Sequence, residues 1–291
     1  MANLKEIRTR ITSVNSTIQI TSAMKMVSAA KLKRAQNAIT RMRPYAQKLQ
    51  EILGNVSSSL QGNEGKFSAQ REVKNVLLVA ITSNRGLCGG FNNNVLKEIR
   101  TQLRGPLQGK NVKILSLGKK AFDFYKKTSY HTTEGQSETP YSIFDNLTFQ
   151  YVSAIAESIM KQFASGKYDQ VVLVYNKFKN AAVQILVNEQ YLPVLPPKTA
   201  GKSASIDYIF EPQKEQIIQE LIPRSLKIQL FKALLDSNAA QHGARMTAMH
   251  KATDNAGDLV KELKLTYNKA RQSAITGEIL EIVAGAEALK G

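Results

Sequence analysis

The chain has 291 residues, of which 43% are hydrophobic and 22% charged, and its formal net charge is +17. That hydrophobic share can build a substantial core, which excludes an intrinsically disordered chain. No run approaches the roughly 18 apolar residues that cross a bilayer, and MANLKEIRTR lacks the apolar stretch of a secretory signal. The single cysteine, Cys88, excludes an internal disulfide and a cysteine-based metal cluster, and the three histidines are too scattered to replace one. We therefore expect neither a metal nor a cofactor.

The N-terminal segment has the pattern of a coiled-coil helix. Apolar side chains recur at alternating spacings of three and four residues, at Leu4, Ile7, Ile11, Val14 and Ile18. The pattern loosens between residues 23 and 30 and resumes at Leu49. Pro44 removes a backbone donor, but because periodicity continues beyond it, a kink is favoured over an end. We assign residues 1–60 to this helix.

The middle of the chain alternates short β-branched runs with helical patterns. The predicted strands span 73–82, 111–118 and 168–176, and helical stretches lie between them. This alternation is typical of a parallel, doubly wound α/β sheet. The run at 181–194 follows the third strand closely enough to pair with it antiparallel. We place this Rossmann-like domain at residues 70–205.

The C-terminal segment, residues 206–291, predicts a second long helix. The spacing of three and four residues returns at Val260, Leu263, Tyr267, Ala270 and Ala274. Pro223 predicts a break or a fresh start near the base of this helix. One terminal helix enters the central domain and the other leaves it, so the two must run antiparallel if they pair. The expected fold is α/β, with a long antiparallel coiled coil of the N- and C-terminal helices and an inserted α/β domain.

Residues 275–289 near the end of that helix, ITGEILEIVAGAEAL, are apolar on nearly all sides. The side chains concerned include Ile275, Ile279, Leu280, Ile282, Val283 and Leu289. A helix that is apolar all round must be buried, and no second helix remains here to bury it. We predict that another protein sheathes this apolar tip. A frayed terminus is the alternative.

Positive charge is concentrated near the N-terminus. Residues 1–50 carry ten basic side chains against one acidic side chain, a net charge of +9. Such a stripe attracts nucleic acid, anionic lipid or an acidic protein surface, and charge alone does not choose among them. A basic coiled-coil nucleic-acid-binding protein therefore stays open as an alternative, although these helices offer few aromatic side chains for stacking bases.

The loop SNRGLCGGFNNN at 83–94 follows a strand and opens a helix, which superficially resembles a phosphate cradle. It lacks both the lysine–serine/threonine ending of a P-loop and the GxGxxG spacing, so a tight glycine turn is favoured. We interpret Cys88 as a small buried thiol rather than a nucleophile. An α/β nucleotide enzyme is thus the second, weaker alternative.

Several stretches resemble the gamma subunit of F-type ATP synthases, in its bacterial form. They are IRTRITSVNSTIQITSAMKMVSAAK, SNRGLCGGFN, ARMTAMHKATDN and ITGEILEIVAGAEA, and they occur in the family's order across essentially the whole chain. The resemblance implies a non-catalytic central rotor shaft. Such a shaft couples ion-driven rotation of a membrane ring to conformational changes at catalytic sites on the beta subunits.

The resemblance also implies partners and a location. The partners would be the alpha and beta subunits of the catalytic hexamer, the epsilon subunit and the c-ring, with no nucleic acid. The location would be peripheral, on the cytoplasmic face of the bacterial inner membrane. Arg85 and the basic helix would face acidic loops of beta, and the apolar tip would sit in a sleeve formed by the ring. Family contact residues match Met24, Arg85, Arg245, Arg271, Gln272, Thr276 and Glu278.

Overall fold

The computed structural model of the chain describes residues 4–58, 66–69, 71–134, 142–144, 147–194 and 214–289, apart from the side chains of 50, 51, 53–58 and 214–219. The predicted domain boundaries near residues 60, 70 and 205 lie outside these ranges and stay predictions. The chain divides into two compact units. We call Met1–Ser28 with Met246–Gly291 the end unit, and Ala29–Arg245 the sheet unit.

Both predicted long helices are present. Helix α1 spans Leu4–Ser58 and helix α5 spans Lys214–Ala288. The predicted continuation of α1 beyond Pro44 is confirmed. The break or fresh start predicted at Pro223 is wrong, because α5 runs through this residue. Its neighbours Ile222 and Leu226 are buried in the core of the sheet unit, and their burial offsets the roughly 3 kcal/mol that a proline costs inside a helix.

A five-stranded sheet lies between the long helices in the sequence, with strand order β3-β2-β1-β4-β5. All neighbouring strands are parallel except β4 and β5, which are antiparallel as predicted. The two-residue β3 was not predicted, because so short a run carries no periodicity. In chain order the elements are β1 Asn75–Ile81, α2 Phe91–Arg104, β2 Asn111–Leu117, α3 Lys119–Tyr125, β3 His131–Thr132, a 3-10 turn Ser142–Phe144, α4 Phe149–Ala164, β4 Gln170–Phe178 and β5 Gln184–Leu192.

The first third of α5 belongs to the core of the α/β domain. Helices α2 and α3 cover one face of the sheet, and α4 and α5 cover the other. The α5 side chains buried in that second cluster are Ile222, Leu226, Leu230, Ala233 and Leu234. The Phe231 ring meets the Phe149 ring of α4 edge-on at 5.6 Å, and Tyr191 OH donates to Leu226 O at 3.1 Å. The sequence pattern predicted this segment only as part of a coiled coil.

Within the sheet unit, α1 and α5 run antiparallel. Ala46 and Leu49 of α1 pack against Ile228 of α5. Nearer the start of α1, Arg43 Nη2 lies 3.9 Å from Asp236 Oδ1. Residue numbers thus rise along one helix while they fall along the other.

In the end unit, every predicted seam position of both helices is buried or half-buried. The seam also contains two polar residues that the apolar pattern did not reveal, Thr21 and Ser28, which are 8% and 3% exposed. Thr253 Oγ1 donates to Thr21 Oγ1 at 2.8 Å, and Thr21 Oγ1 donates to Thr17 O at 2.9 Å. These hydrogen bonds satisfy hydroxyls that would otherwise be costly to bury.

Candidate functional site

The loop between β1 and α2, residues 82–90, has a constrained backbone. Ser83 N donates to Asn92 Oδ1 at 2.9 Å, and Asn92 Nδ2 donates to Cys88 Sγ at 3.1 Å. Cys88 is 2% exposed, which confirms the predicted buried thiol. Leu87 adopts a φ of +59°, a left-handed conformation rare for a leucine, and its side chain is 64% exposed. The loop thus presents Leu87 and the exposed Arg85 outward on a fixed backbone.

Arg245 of α5 binds the backbone of this loop. Its Nη2 donates to Arg85 O at 3.0 Å, and its Nε donates to Gly86 O at 3.3 Å. The residue is 9% exposed, and burial lowers the pKa of its guanidinium, with Arg85 acting in the same direction. Two residues that the family resemblance marks as partner contacts, 160 positions apart, therefore meet in this structure.

The same geometry disfavours a nucleotide at the loop. Open α/β sheets bind ligands at the carboxyl ends of their strands where the strand order reverses, which here lies between β1 and β4. A phosphate site needs backbone N–H groups that point at the ligand. This loop instead directs the carbonyls of Arg85 and Gly86 at a guanidinium of the chain itself.

His242 lies one turn before Arg245 and is held neutral. Its Nδ1 lies 3.4 Å from Arg245 Nη1, so the ring nitrogen acts as the acceptor. Burial, followed by the charges of Arg245 and Lys31, lowers the pKa of His242 to about 4. The group therefore takes up a proton more readily in the unfolded chain than in the folded one.

We expect the sheet unit to lose stability as the pH falls from about 6.5 towards 4, because only the unfolded chain binds the His242 proton in that window. His242→Gln should remove about 2 kcal/mol of this acid sensitivity. Urea unfolding at neutral and acidic pH measures the difference. His250→Gln, at an exposed histidine 3.3 Å from Asp254, is the control and should not reproduce it. Identical pH profiles of wild type and His242→Gln would contradict the assignment.

The basic stripe on α1 is solvent-facing along most of its length. Of its ten cationic residues, all except the half-buried Lys25 are exposed. Arg10 is bound to Glu6 at 2.7 Å, and Arg43 lies near the buried Asp236. Burial raises the pKa of Asp236, and the Arg43 charge opposes that rise. Lys31, Lys33 and Arg34 form the compact group of exposed cations in the middle of the stripe.

The sequence pattern did not predict a strip of exposed apolar residues on α1. Ile20, Ala23 and Val27 follow the spacing of one helix face, and Ile20 and Val27 are 61% and 56% exposed. Met24 lies beside the strip and is half-buried. The sequence placed residues 23–30 in a loosened seam, whereas the true seam runs through Thr21 on another face. An apolar strip on a charged helix is typical of a protein-binding surface.

The predicted apolar tip of α5 is exposed throughout. The exposed fractions are 47% at Ile275, 54% at Ile279, 63% at Leu280, 71% at Ile282, 54% at Val283 and 89% at Leu289. The nearby family contact positions, also exposed, are Arg271, Gln272, Thr276 and Glu278. Thr276 Oγ1 donates to Gln272 O at 2.9 Å, so these two occupy adjacent turns of one face. Met24 lies on α1, and no described contact joins it to the tip.

Comparisons with known proteins match the chain along its length. The family model described as ATP synthase matches residues 3–289. The ATP synthase gamma chains of Flavobacterium johnsoniae and Flavobacterium psychrophilum are 61% and 60% identical over 292 residues, and each alignment covers all of both chains. No helix among the described residues is long and apolar enough to cross a membrane.

Solved structures share the fold. One is the central stalk and c-ring of the Tetrahymena thermophila mitochondrial ATP synthase, with 26% identity, a TM-score of 0.56 and coverage of 80% of this chain and 99% of that chain. Another is the rotor of the Euglena gracilis mitochondrial ATP synthase, with 20% identity, a TM-score of 0.62 and coverage of 94% and 98%. On the family model and the full-length relatives, the chain belongs to the ATP synthase gamma-chain family.

Proposed function

We propose that this chain is the central rotor shaft of an F-type ATP synthase and carries out no chemistry itself. It couples rotation of an ion-driven membrane ring to conformational changes at catalytic sites on beta subunits. The observation that carries the proposal is the exposed apolar tip of α5 on a member of this family. An apolar surface of this extent on a helix needs a protein that covers it.

The coupling works by shifting populations. An asymmetric shaft inside a threefold ring presents a different face to each beta subunit. Each face favours one of the conformations available to that subunit, and these conformations differ in nucleotide affinity. Rotation of the shaft therefore moves each catalytic site through the same cycle, one after another.

Three surfaces would make the contacts with partners. The apolar tip, with Arg271 and Gln272, lies in a sleeve formed by the alpha and beta subunits. The exposed cations of α1 and Arg85 face acidic loops of beta. Exposed ion pairs are weak and screened by salt, so they can form and release at each step. The epsilon subunit and the c-ring contact the base of the shaft and the α/β domain, which holds the protein at the cytoplasmic face of the bacterial inner membrane.

Co-purification tests the assignment. Expressed with the alpha and beta chains of its own source, the protein should elute with them in a three-to-three-to-one complex that hydrolyses ATP. Failure to associate would contradict the proposal. Retention on DNA at physiological salt would instead favour the basic nucleic-acid-binding alternative, which rests on the net charge of +17.

Replacing Lys31, Lys33 and Arg34 together by glutamine should change the hydrolysis rate or coupling of the assembled complex about twofold or more, because acidic partner loops lose their counter-charges. The fold should be unaffected, since all three side chains are exposed. Hydrolysis and ATP-driven ion pumping measure the effect. The matched control replaces Lys97, Arg104 and Lys127, three exposed cations of the α/β domain. The two variants are compared by hydrolysis in the complex with alpha and beta alone, where epsilon and the c-ring, the proposed partners of that domain, are absent. Equal behaviour of the two triple variants would show that the stripe is only a solvated face.

A further inference from the structure

Helix α5 touches the turn between β4 and β5 without an intervening side chain. A Cβ atom placed on Gly243 would lie 3.1 Å from Ala181 O and 3.2 Å from Ala181 Cα. It would also lie 3.5 Å from Phe178 Cε2. The two closest atoms are backbone atoms, so the contact cannot be relieved by rotating a flexible side chain.

The turn that meets Gly243 is itself braced. Asn180 Oδ1 accepts hydrogen bonds from Ala182 N at 3.0 Å and from Val183 N at 2.7 Å. Asn180 N donates to Val183 O at 3.2 Å, which closes the turn. A Cβ at position 243 would therefore shift either the helix or the turn by a few tenths of an ångström.

Arg245 holds α5 from another side. Two residues along a helix correspond to a rotation of about 200°, so Gly243 and Arg245 face nearly opposite directions. Arg245 bonds the carbonyls of Arg85 and Gly86 in the 82–90 loop, while Gly243 lies against Ala181. We call this arrangement the edge clamp: the 82–90 loop and the 179–183 turn hold α5 between them at the carboxyl edge of the sheet.

We propose that the edge clamp fixes the part of α5 that belongs to the sheet unit against the sheet, and that Gly243 is a positioning residue for rotary coupling. This inference rests on the proposed rotor function. The helix is continuous from Lys214 to Ala288. The edge clamp is therefore a point at which torque on the α/β domain is transmitted to α5. A shift of the helix at Gly243 also moves Arg245 relative to the carbonyls of Arg85 and Gly86, so it reaches the loop that carries Arg85.

Gly243→Ala in the full chain tests the clamp itself. Hydrogen exchange should become about tenfold faster at the amides of residues 182 and 183 and in the 82–90 loop, because the turn and the loop then open more often. Gly257→Ala is the matched control, on the same helix with nothing within 4 Å of its added Cβ, and should leave these amides unchanged. Unchanged exchange in Gly243→Ala would overturn the clamp.

The role in coupling is tested in the assembled complex. Ions pumped per ATP hydrolysed should fall about twofold or more in Gly243→Ala while hydrolysis continues, and Gly257→Ala should couple normally. Asn180→Ala, which removes the brace of an exposed turn, should give the same loss of coupling even if Gly243→Ala does not fold. Normal coupling in the variants that assemble would overturn the positioning role. A wild-type complex that hydrolyses ATP without pumping would count against the rotor function instead.

Discussion

Replacing Leu230 by alanine should lower the free energy of unfolding of the sheet unit by about 2–5 kcal/mol, because it leaves a cavity in the core. Leu230 is fully buried in the cluster that contains strands β1 and β4. Urea unfolding followed by the near-ultraviolet signal of the buried Tyr175 and Tyr191 reports on this core directly.

Leu265→Ala is the control for that experiment. The residue lies on the same helix but in the end unit, and it is 64% exposed, so its loss should cost no more than about 0.5 kcal/mol. Equal effects of the two substitutions would show that the base of α5 is an ordinary coiled-coil segment rather than a layer of the α/β domain.

Deleting the residues after Ile275 should weaken association with the alpha and beta subunits by about tenfold or more. The deletion removes most of the apolar tip, and each 1.4 kcal/mol of lost burial corresponds to a tenfold change in affinity. Unfolding of the sheet unit should not change, because the deleted residues belong to the end unit. Complex yield from co-expression, followed by dissociation on dilution, measures the loss.

Charge on the tip offers the matched control. Glu281 and Glu287 are exposed on the same segment, and replacing both by glutamine keeps the apolar surface intact. This variant should assemble like the wild type. A truncated chain that assembles equally well would rule out the apolar sleeve and support the frayed-terminus alternative.

Apolar periodicity was sufficient to place the seam of the end unit, because large side chains such as Ile7 and Val260 mark it in the sequence. It failed where the seam becomes polar. Thr21 and Ser28 are buried with their hydroxyls close to the helix seam, and a hydrophobic pattern cannot distinguish them from surface residues. For the same reason, the pattern did not predict the exposed apolar strip that contains Ile20 and Val27.

Long-range packing was the other feature that the sequence pattern could not predict. The burial of Leu230 against the sheet depends on tertiary contacts between segments that are far apart in the sequence, and the same packing keeps α5 continuous through Pro223. The resemblance marked Arg85 and Arg245 separately, but their contact appears only once α5 lies at the carboxyl edge of the sheet. The contact roles of the tip residues still rest on the resemblance and on their exposure.

Rotation of this chain against its partners is the most direct test of the proposed function. With the alpha and beta subunits fixed to a surface and a bead attached to the α/β domain, ATP should drive rotation in one direction, with three equally spaced pauses in each turn. A complex that hydrolyses ATP while the bead keeps a fixed angle would contradict the rotor function.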